Sequence, residues 1–558
     1  MKRPLKNLLV SIGAGYHPAV RSLHGMVREM SDSRILIFQL EKTSAIGEDL
    51  RVDCSVSYKD FPGAFKLFEE WILKNRFELI GISFMSHHRD IFVEMTRIIR
   101  KALPGCKIIA GGVHAWLIDP DRTIEHCDYV CAGEGEELYK NLLESLSGPE
   151  TGRPLRLPGL MEKYDGNVIR TPVKEYMPID DLPVPTMGSE YIHYLYSKGD
   201  IITFKQEDPQ LSNTFSCVHI GRGCPFKCTY CINSLFPERR KVRVRSVNKV
   251  ISEIKRLLGF RKFEAFIFMD EIFPLQASWL EEFAAAYKKE VGVPFVITLY
   301  PGMLTYEKTK LLKEAGLKEV SIGIQSGSEN IRKNVYERSG TNSRILEENE
   351  MLSKLGIMTY YDFIIKNPFE KEADYRDSLE LVSSLKRPFY LKFHTLAYYP
   401  RHPITDMALG HKLIDEGDIS ATIGYLDVNT PHKVAIVDHY PVERNLLFWN
   451  AKLRKEMSCG HTDSSYWLLA SYYGYWYMPK FILEAVKRQY LKGGRRALNI
   501  LSSIVQFTLV IRNNIFSKKV NIAVCMYKQR GPVFVMDEIR MKILRSIKQG
   551  RYGKKTNC

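Results

Sequence analysis

The chain has 558 residues, of which 45% are apolar and 26% charged; this excludes a disordered or fibrous protein and provides for roughly two to four separate cores. Its formal net charge of +16 is unevenly placed, because from Lys480 to Cys558 there are 18 Lys and Arg against three acids, Glu484, Asp537 and Glu538. The rest of the chain is close to neutral, which argues against a phosphate-binding groove running along the whole protein and makes nucleic acid an unlikely partner. Eleven cysteines fall without a regular framework, and the apolar run at the N-terminus is too short for a signal peptide. Both features point to a reducing cytoplasm, where clustered thiols bind metal or react.

Over residues 1–150, short β-branched or leucine-rich runs alternate with helical patterns. Strands are predicted at Asn7–Ile12, Arg34–Leu40, Phe77–Phe84, Lys107–Val113 and Cys127–Gly133, with amphipathic stretches such as AFKLFEEWILKN and IFVEMTRIIRKAL between them. This spacing implies a doubly wound parallel sheet, whose ligands bind at the carboxyl ends of the strands. Those ends carry Gly13 and Gly15, Ser83 and Ser86, Gly111 and Gly112 with His114, and the GEGE run of Gly133, Glu134, Gly135 and Glu136. Glycines there admit a backbone close to a bulky ligand; they are equally readable as turn glycines.

Residues 151–204, which contain PLRLPG and DDLPVPTMG, are proline-rich without long periodicity and read as a linker over the surface. A second βα series fills residues 205–415. It starts at SCVHIGRGC and continues through Phe263–Phe273, Pro294–Tyr300, Glu319–Gly327, Thr359–Asn367 and Tyr390–Pro400, with helices closed mostly by glycine between them. Six βα units imply a barrel or partial barrel, with its chemistry at the C-terminal ends of the strands. From residue 416 to 558 the pattern changes to aromatic-rich helix. There Trp449, Trp467, Tyr472, Tyr473 and Trp476 could line an apolar pocket or fill a core.

The loop after the first strand of the second series reads GRGCPFKCTYCINS, with Cys224, Cys228 and Cys231 within eight positions. Structural zinc wants four protein ligands, and no second cysteine pair follows at the expected distance. An iron-sulfur cubane that only carries electrons also takes four cysteines. Three leave one iron open to a ligand.

The CxxxCxxC spacing ahead of a βα barrel resembles the radical S-adenosylmethionine superfamily. The resemblance implies a 4Fe-4S cluster on Cys224, Cys228 and Cys231 that binds S-adenosylmethionine and cleaves it, with an electron from an external flavodoxin- or ferredoxin-type reductant, to a 5'-deoxyadenosyl radical. It further implies that Tyr230 fills the family's aromatic position and that Asp270 and Glu271, in MDEIF, lie near the methionine amine. Gln325, in GIQSGSE, stands for a glutamate that would meet a ribose hydroxyl, and Arg338, in YERSG, would pair with the methionine carboxylate. Lys366, in FIIKNP, departs from the family's usual glycine.

The N-terminal domain, with IIAGGVHA, YVCAGEGEEL and the exit sequence DLPVP, looks like the cobalamin-binding subclass of that family. Ser83, Gly111, Gly112, His114, Gly133 and Glu134 are then its candidate cofactor contacts. The DxHxxG fingerprint is absent, so His17, His87, His88 and His114 cannot be assigned as axial ligands. The implied architecture is α/β: a Rossmann-like cobalamin-binding domain (1–150), a linker (151–204), a partial (β/α)6 TIM-like radical core (205–415) and a mainly helical basic region (416–558). The implied reaction is methylation of an unactivated carbon in a small or lipid-like metabolite. The alternatives are a non-methylating oxidoreductase or cyclase with the same cofactors, or a metal-stabilised binding protein at a membrane surface. The basic tail, with an apolar run inside Lys492–Asn514 and an amphipathic set in Asp537–Lys555, reads as a helix packed on the barrel, as a solvated terminus, or as a peripheral contact with the inner membrane face.

Overall fold

The computed structural model describes residues 4–422, apart from 14–15, 47–48, 54–58, 60, 150–151, 199–200, 237–239, 366 and 387–388. The basic tail, its aromatic residues, Gly15 and Lys366 lie outside the described residues. Among the described residues, no helix is long and apolar enough to cross a membrane.

The N-terminal half is built on one sheet of ten strands: β1 (Lys6–Ile12), β2 (Asp32–Ile46), β3 (Asp49–Asp53), β4 (Leu79–Ser83), β5 (Lys107–Gly111), β6 (Tyr129–Cys131), β7 (Leu160–Tyr164), β8 (Asn167–Arg170), β9 (Ile192–Lys198) and β10 (Ile201–Lys205). Its order is β10-β9-β2-β1-β4-β5-β6-β7-β8, with β3 paired to β2. The five strands expected from the sequence form its parallel centre, β2-β1-β4-β5-β6. Helices Pro18–Val27 and Glu136–Ser147 cover one face, and Pro62–Asn75 and Arg89–Ala102 the other. Burial on both faces explains why β1 reads as a continuous apolar run and not an alternation. Strand order reverses between β1 and β4, and a crevice opens at such a point.

The segment expected to be a linker is not only a linker. It supplies β7 and β8 to one edge of the sheet and β9 and β10 to the other. The β7–β8 hairpin turns on Asp165 and Gly166, both at positive φ (49° and 74°), as a two-residue Asp-Gly turn requires. The buried apolar residues of these strands are too few to show a period: Leu160 and Met161 in β7, Ile192 and Leu195 in β9.

The second half is a partial barrel of six parallel strands, β11 (Phe215–Val218), β14 (Ala265–Phe268), β15 (Phe295–Leu299), β16 (Leu317–Gln325), β17 (Met358–Ile365) and β18 (Phe389–Thr395), in sequential order. A separate short ribbon, β12 (Gly221–Arg222) with β13 (Arg243–Val244), brackets the cysteine loop. Val320, Ile322 and Ile324 of β16 and Tyr361 and Phe363 of β17 pack outward into the core with the surrounding helices. Their alternate neighbours face the lumen. The halves are joined by an ion pair with no exposure at all: Arg21 meets both oxygens of Asp208 at 2.7 and 3.0 Å.

Candidate functional site where two domains meet

At the carboxyl ends of the N-terminal strands the chain leaves a cavity of about 450 Å3, bounded on its far side by the barrel mouth. Ser83, Gly111, Gly112, Gly133 and Glu134 line it from the first domain; Gly221, Arg222, Met269 and Glu271 line it from the second. Gly112 sits at φ +93°, and a Cβ there would stand 2.6 Å from the Phe84 carbonyl, so only glycine fits. A Cβ on Gly111 would meet nothing within 4 Å; the space beside it belongs to the cavity. Trp116 from the first domain packs on Phe236 from the second, ring centroids 5.0 Å apart, and Tyr16 stacks near His219 at 6.4 Å. Open glycine backbone and these aromatic walls fit a large flat ligand such as cobalamin.

The histidines do other work. His114 is buried outside the cavity wall, with Nδ1 3.1 Å from Ser86 Oγ. His17 Nδ1 lies 2.8 Å from Ser11 Oγ, and the rings of His87 and His88 are 3.9 Å apart. Burial, aided by the Arg21 charge, pushes His17 down to about 4; burial with the neighbouring histidines takes His88 to about 3, so both stay neutral at pH 7.

Below the cavity, the cysteine loop is fastened from three directions. Thr229 donates its amide to the Tyr336 carbonyl (3.2 Å) and its hydroxyl to that of Val335 (2.6 Å). Phe226 stacks on Tyr300 at 3.8 Å. Arg338, 7% exposed, donates Nη1 to Cys228 Sγ (3.2 Å) and Tyr230 OH (3.0 Å) and Nη2 to the Gly323 carbonyl (2.5 Å), with its guanidinium 4.1 Å from the centre of the Tyr300 ring. Its partners among the described residues are a thiol, a phenol and a carbonyl, with no carboxylate, and its buried Nε has no hydrogen-bond partner. A buried guanidinium left in this state fits the carboxylate of S-adenosylmethionine.

Cys228 is buried, and Cys224 and Cys231 are partly so. Burial pushes the Cys231 thiol up to about 11 and raises that of Cys224, so metal must displace their protons. No group of three or more His, Cys, Asp or Glu among the described residues is gathered around a single-ion site. The three thiols act on one another electrostatically and so share one neighbourhood; three are one fewer than structural zinc takes from protein and enough for three corners of an iron-sulfur cubane.

The remaining expected contacts divide. Glu271 is exposed, lines the cavity, and its charge acts on Cys224 and Cys231. Asp270 turns inward: its Oδ1 accepts the amides of Ile220 (2.9 Å) and Gly221 (2.6 Å), the residues that launch the cysteine loop. Gln325 occupies a left-handed position (φ 72°) where the β16–β17 register slips.

Sequence reasoning missed the clamp that holds the cysteine loop to the first domain. Arg222, two residues before Cys224, meets Glu134 at 2.7 Å and Glu136 at 2.5 Å; Arg243, its partner in the β12–β13 ribbon, takes the other oxygen of Glu134. Both glutamate side chains are 6% exposed. Burial opposes the charge of Glu136, but Arg222 outweighs it and holds the carboxyl below its ordinary pKa. The GEGE run gave the acids; nothing local named their partners, 86 and more residues away.

Residues 218–382 match the Radical SAM superfamily, and residues 48–143 match the B12 binding domain. An uncharacterized methyltransferase of Pyrococcus horikoshii is 25% identical over 402 residues, 70% of this chain and 78% of the relative. An anaerobic magnesium-protoporphyrin IX monomethyl ester cyclase of Rubrivivax gelatinosus is 25% identical over 332 residues, 57% of this chain and 56% of the cyclase. Among solved structures, the cobalamin-dependent S-adenosylmethionine radical enzyme OxsB, with aqua-cobalamin bound, superposes with a TM-score of 0.61 at 14% identity, covering 98% of this chain and 81% of its own. The two matched domains stand in the order and with the fold that the geometry shows, and the chain is a radical S-adenosylmethionine enzyme of the cobalamin-binding class, with a 4Fe-4S cluster, S-adenosylmethionine and cobalamin as its cofactors.

Proposed function

We propose that this enzyme transfers a methyl group to an unactivated carbon of a small or lipid-like metabolite. One observation carries the reading: a single cavity is walled both by the strand ends of the B12-binding domain and by the barrel mouth that carries the cysteine loop. Reactants delivered from either side therefore meet in one chamber. When bound, the cluster with S-adenosylmethionine supplies hydrogen-atom abstraction, and cobalamin supplies the methyl group. The chain's own residues set the stage for that chemistry. Cys224, Cys228 and Cys231 would hold the cluster and Arg338 the methionine carboxylate. Ser83, Gly111, Gly112 and Gly133 would receive cobalamin. Trp116 and Phe236 keep water from the junction, and the Arg222–Glu134–Glu136 clamp fixes the two sites relative to each other.

The electron comes from an external donor of flavodoxin or ferredoxin type. The surplus of Lys and Arg between Lys480 and Cys558 supports peripheral contact with an anionic membrane face. The test is anaerobic incubation of reconstituted enzyme with reductant and S-adenosylmethionine. Formation of both 5'-deoxyadenosine and S-adenosylhomocysteine is the expected result. 5'-Deoxyadenosine alone would replace methyl transfer by the cyclase-like reading, and neither product would overturn both.

A further inference from the structure

The lumen of a βα barrel is ordinarily filled by branched apolar side chains. Here the last three strands put charged and polar groups there instead. Asp362 of β17 accepts a hydrogen bond from Ser321 Oγ of β16 at 2.9 Å, and its other oxygen lies 2.9 Å from His394 Nε2 of β18. Lys392, two residues before His394, reaches Ser321 Oγ at 3.4 Å and lies 4.6 Å from the centre of the Tyr360 ring. The Asp362 and His394 side chains are 18% and 22% exposed, so water reaches the group. Packing does not require it, since the core against the helices is made by the residues of opposite parity.

The hydrogen-bond inventory says what is unmet. Both carboxylate oxygens of Asp362 are engaged, and although burial opposes its charge, the His394 contact and the Lys392 charge hold the group ionised. Lys392 offers three protons and, besides the charge it shares with Asp362, makes among the described residues one long hydrogen bond to a hydroxyl and one ring-face contact. Its spare capacity is that of a cationic donor, which selects an acceptor-rich, negatively charged ligand. The position is close to the chemistry: Asp362 pairs in register with Gly323, whose carbonyl takes Arg338, which in turn contacts Cys228.

We propose that Lys392, steadied by Ser321, Asp362 and His394, is an anion-binding subsite in the barrel lumen that takes a carboxylate or phosphate group of the substrate. This deepens the methyl-transfer reading and rests on it for the word substrate. The anchored end would lie against β16–β18 while the carbon to be modified extends toward the cavity.

The experiment is calorimetric titration of anaerobically reconstituted full-length protein with inorganic phosphate and, separately, acetate, both in saturating S-adenosylmethionine. Saturable binding of at least one anion is expected. Lys392→Met should weaken it about tenfold or more, as loss of a charge-assisted hydrogen bond implies, and Lys392→Arg should retain it within a few-fold, with cluster absorbance in the same samples reporting folding. Binding of neither anion by the wild type, or unchanged binding by Lys392→Met, overturns the subsite. If either anion binds only without S-adenosylmethionine, the site belongs to the nucleotide and the substrate assignment falls. Because 5'-deoxyadenosine formation is measured independently, failure of the subsite and failure of the radical reading are distinguishable.

Discussion

Asp270 sets a pH dependence that can be read in the intact enzyme. It is 5% exposed and its Oδ2 is buried without a hydrogen-bond partner. Burial raises its pKa most, two backbone amides pull it down, Glu271 raises it again, and the balance lies at about 7 against an ordinary 3.8. A carboxyl whose pKa is higher folded than unfolded favours the native state when protonated. Its contribution is complete below the unfolded value and is lost as pH rises through the folded one. At about 1.4 kcal/mol per pKa unit the full span is about 4 kcal/mol, and about 2 kcal/mol of it falls between about pH 5.5 and 8. Asp270→Asn keeps an acceptor for the Ile220 and Gly221 amides and cannot ionise. Urea unfolding of anaerobic holoprotein at the two pH values, followed by cluster absorbance, should therefore show the wild type losing about 2 kcal/mol more than the variant. Asp270→Leu strands both amides and should be destabilised at either pH, by about 1–3 kcal/mol per amide. An identical pH response in wild type and Asp270→Asn would refute the reasoning.

Cys228→Ala should abolish nearly all the cluster absorbance while the N-terminal domain keeps its far-ultraviolet circular dichroism; full absorbance would remove Cys228 from the ligand set. Arg21→Met leaves Asp208 as an uncompensated buried charge, and a loss of about 3–5 kcal/mol is expected in urea unfolding. Glu136→Gln leaves Arg222 with Glu134 alone and should cost about 2 kcal/mol at neutral pH. Since the Glu136 pKa is depressed in the fold, its contribution holds above the unfolded pKa and is lost as pH falls through the folded one, so the variant and the wild type should converge only below pH 4.5. Gly112→Ala would drive a methyl group against the Phe84 carbonyl; cobalamin retention through desalting, read from its visible absorbance, should fall sharply.

Much of the fold was legible because its signals are local. Runs of β-branched residues at a βα repeat located the five parallel strands at the centre of the first sheet and all six of the barrel, with ends that differ by up to six residues, as at Leu40 against Ile46 in β2. The outer strands β7 to β10 escaped because proline and glycine surround them and their buried apolar positions are too few to set a period. Within the site, spacing and motif singled out the three cysteines and Arg338, which the fold places in contact at Cys228, and strand-end position singled out glycines of the first domain that line the cavity. Asp270 and Glu271 are named together from the sequence, which does not tell which of two adjacent acids turns inward to the backbone and which faces the cavity.

The two kinds of βα unit, the run of three closely spaced thiols and the order of the two matched domains are all readable along the chain, because each is written within tens of consecutive residues. Which charges meet is settled by the folding of distant segments onto one another: Arg222 with Glu134 and Glu136, Arg21 with Asp208, Asp362 with His394. The physical reason is that an ion pair depends on distance in space, while chain separation leaves a buried arginine with many candidate carboxylates and no local rule to choose among them.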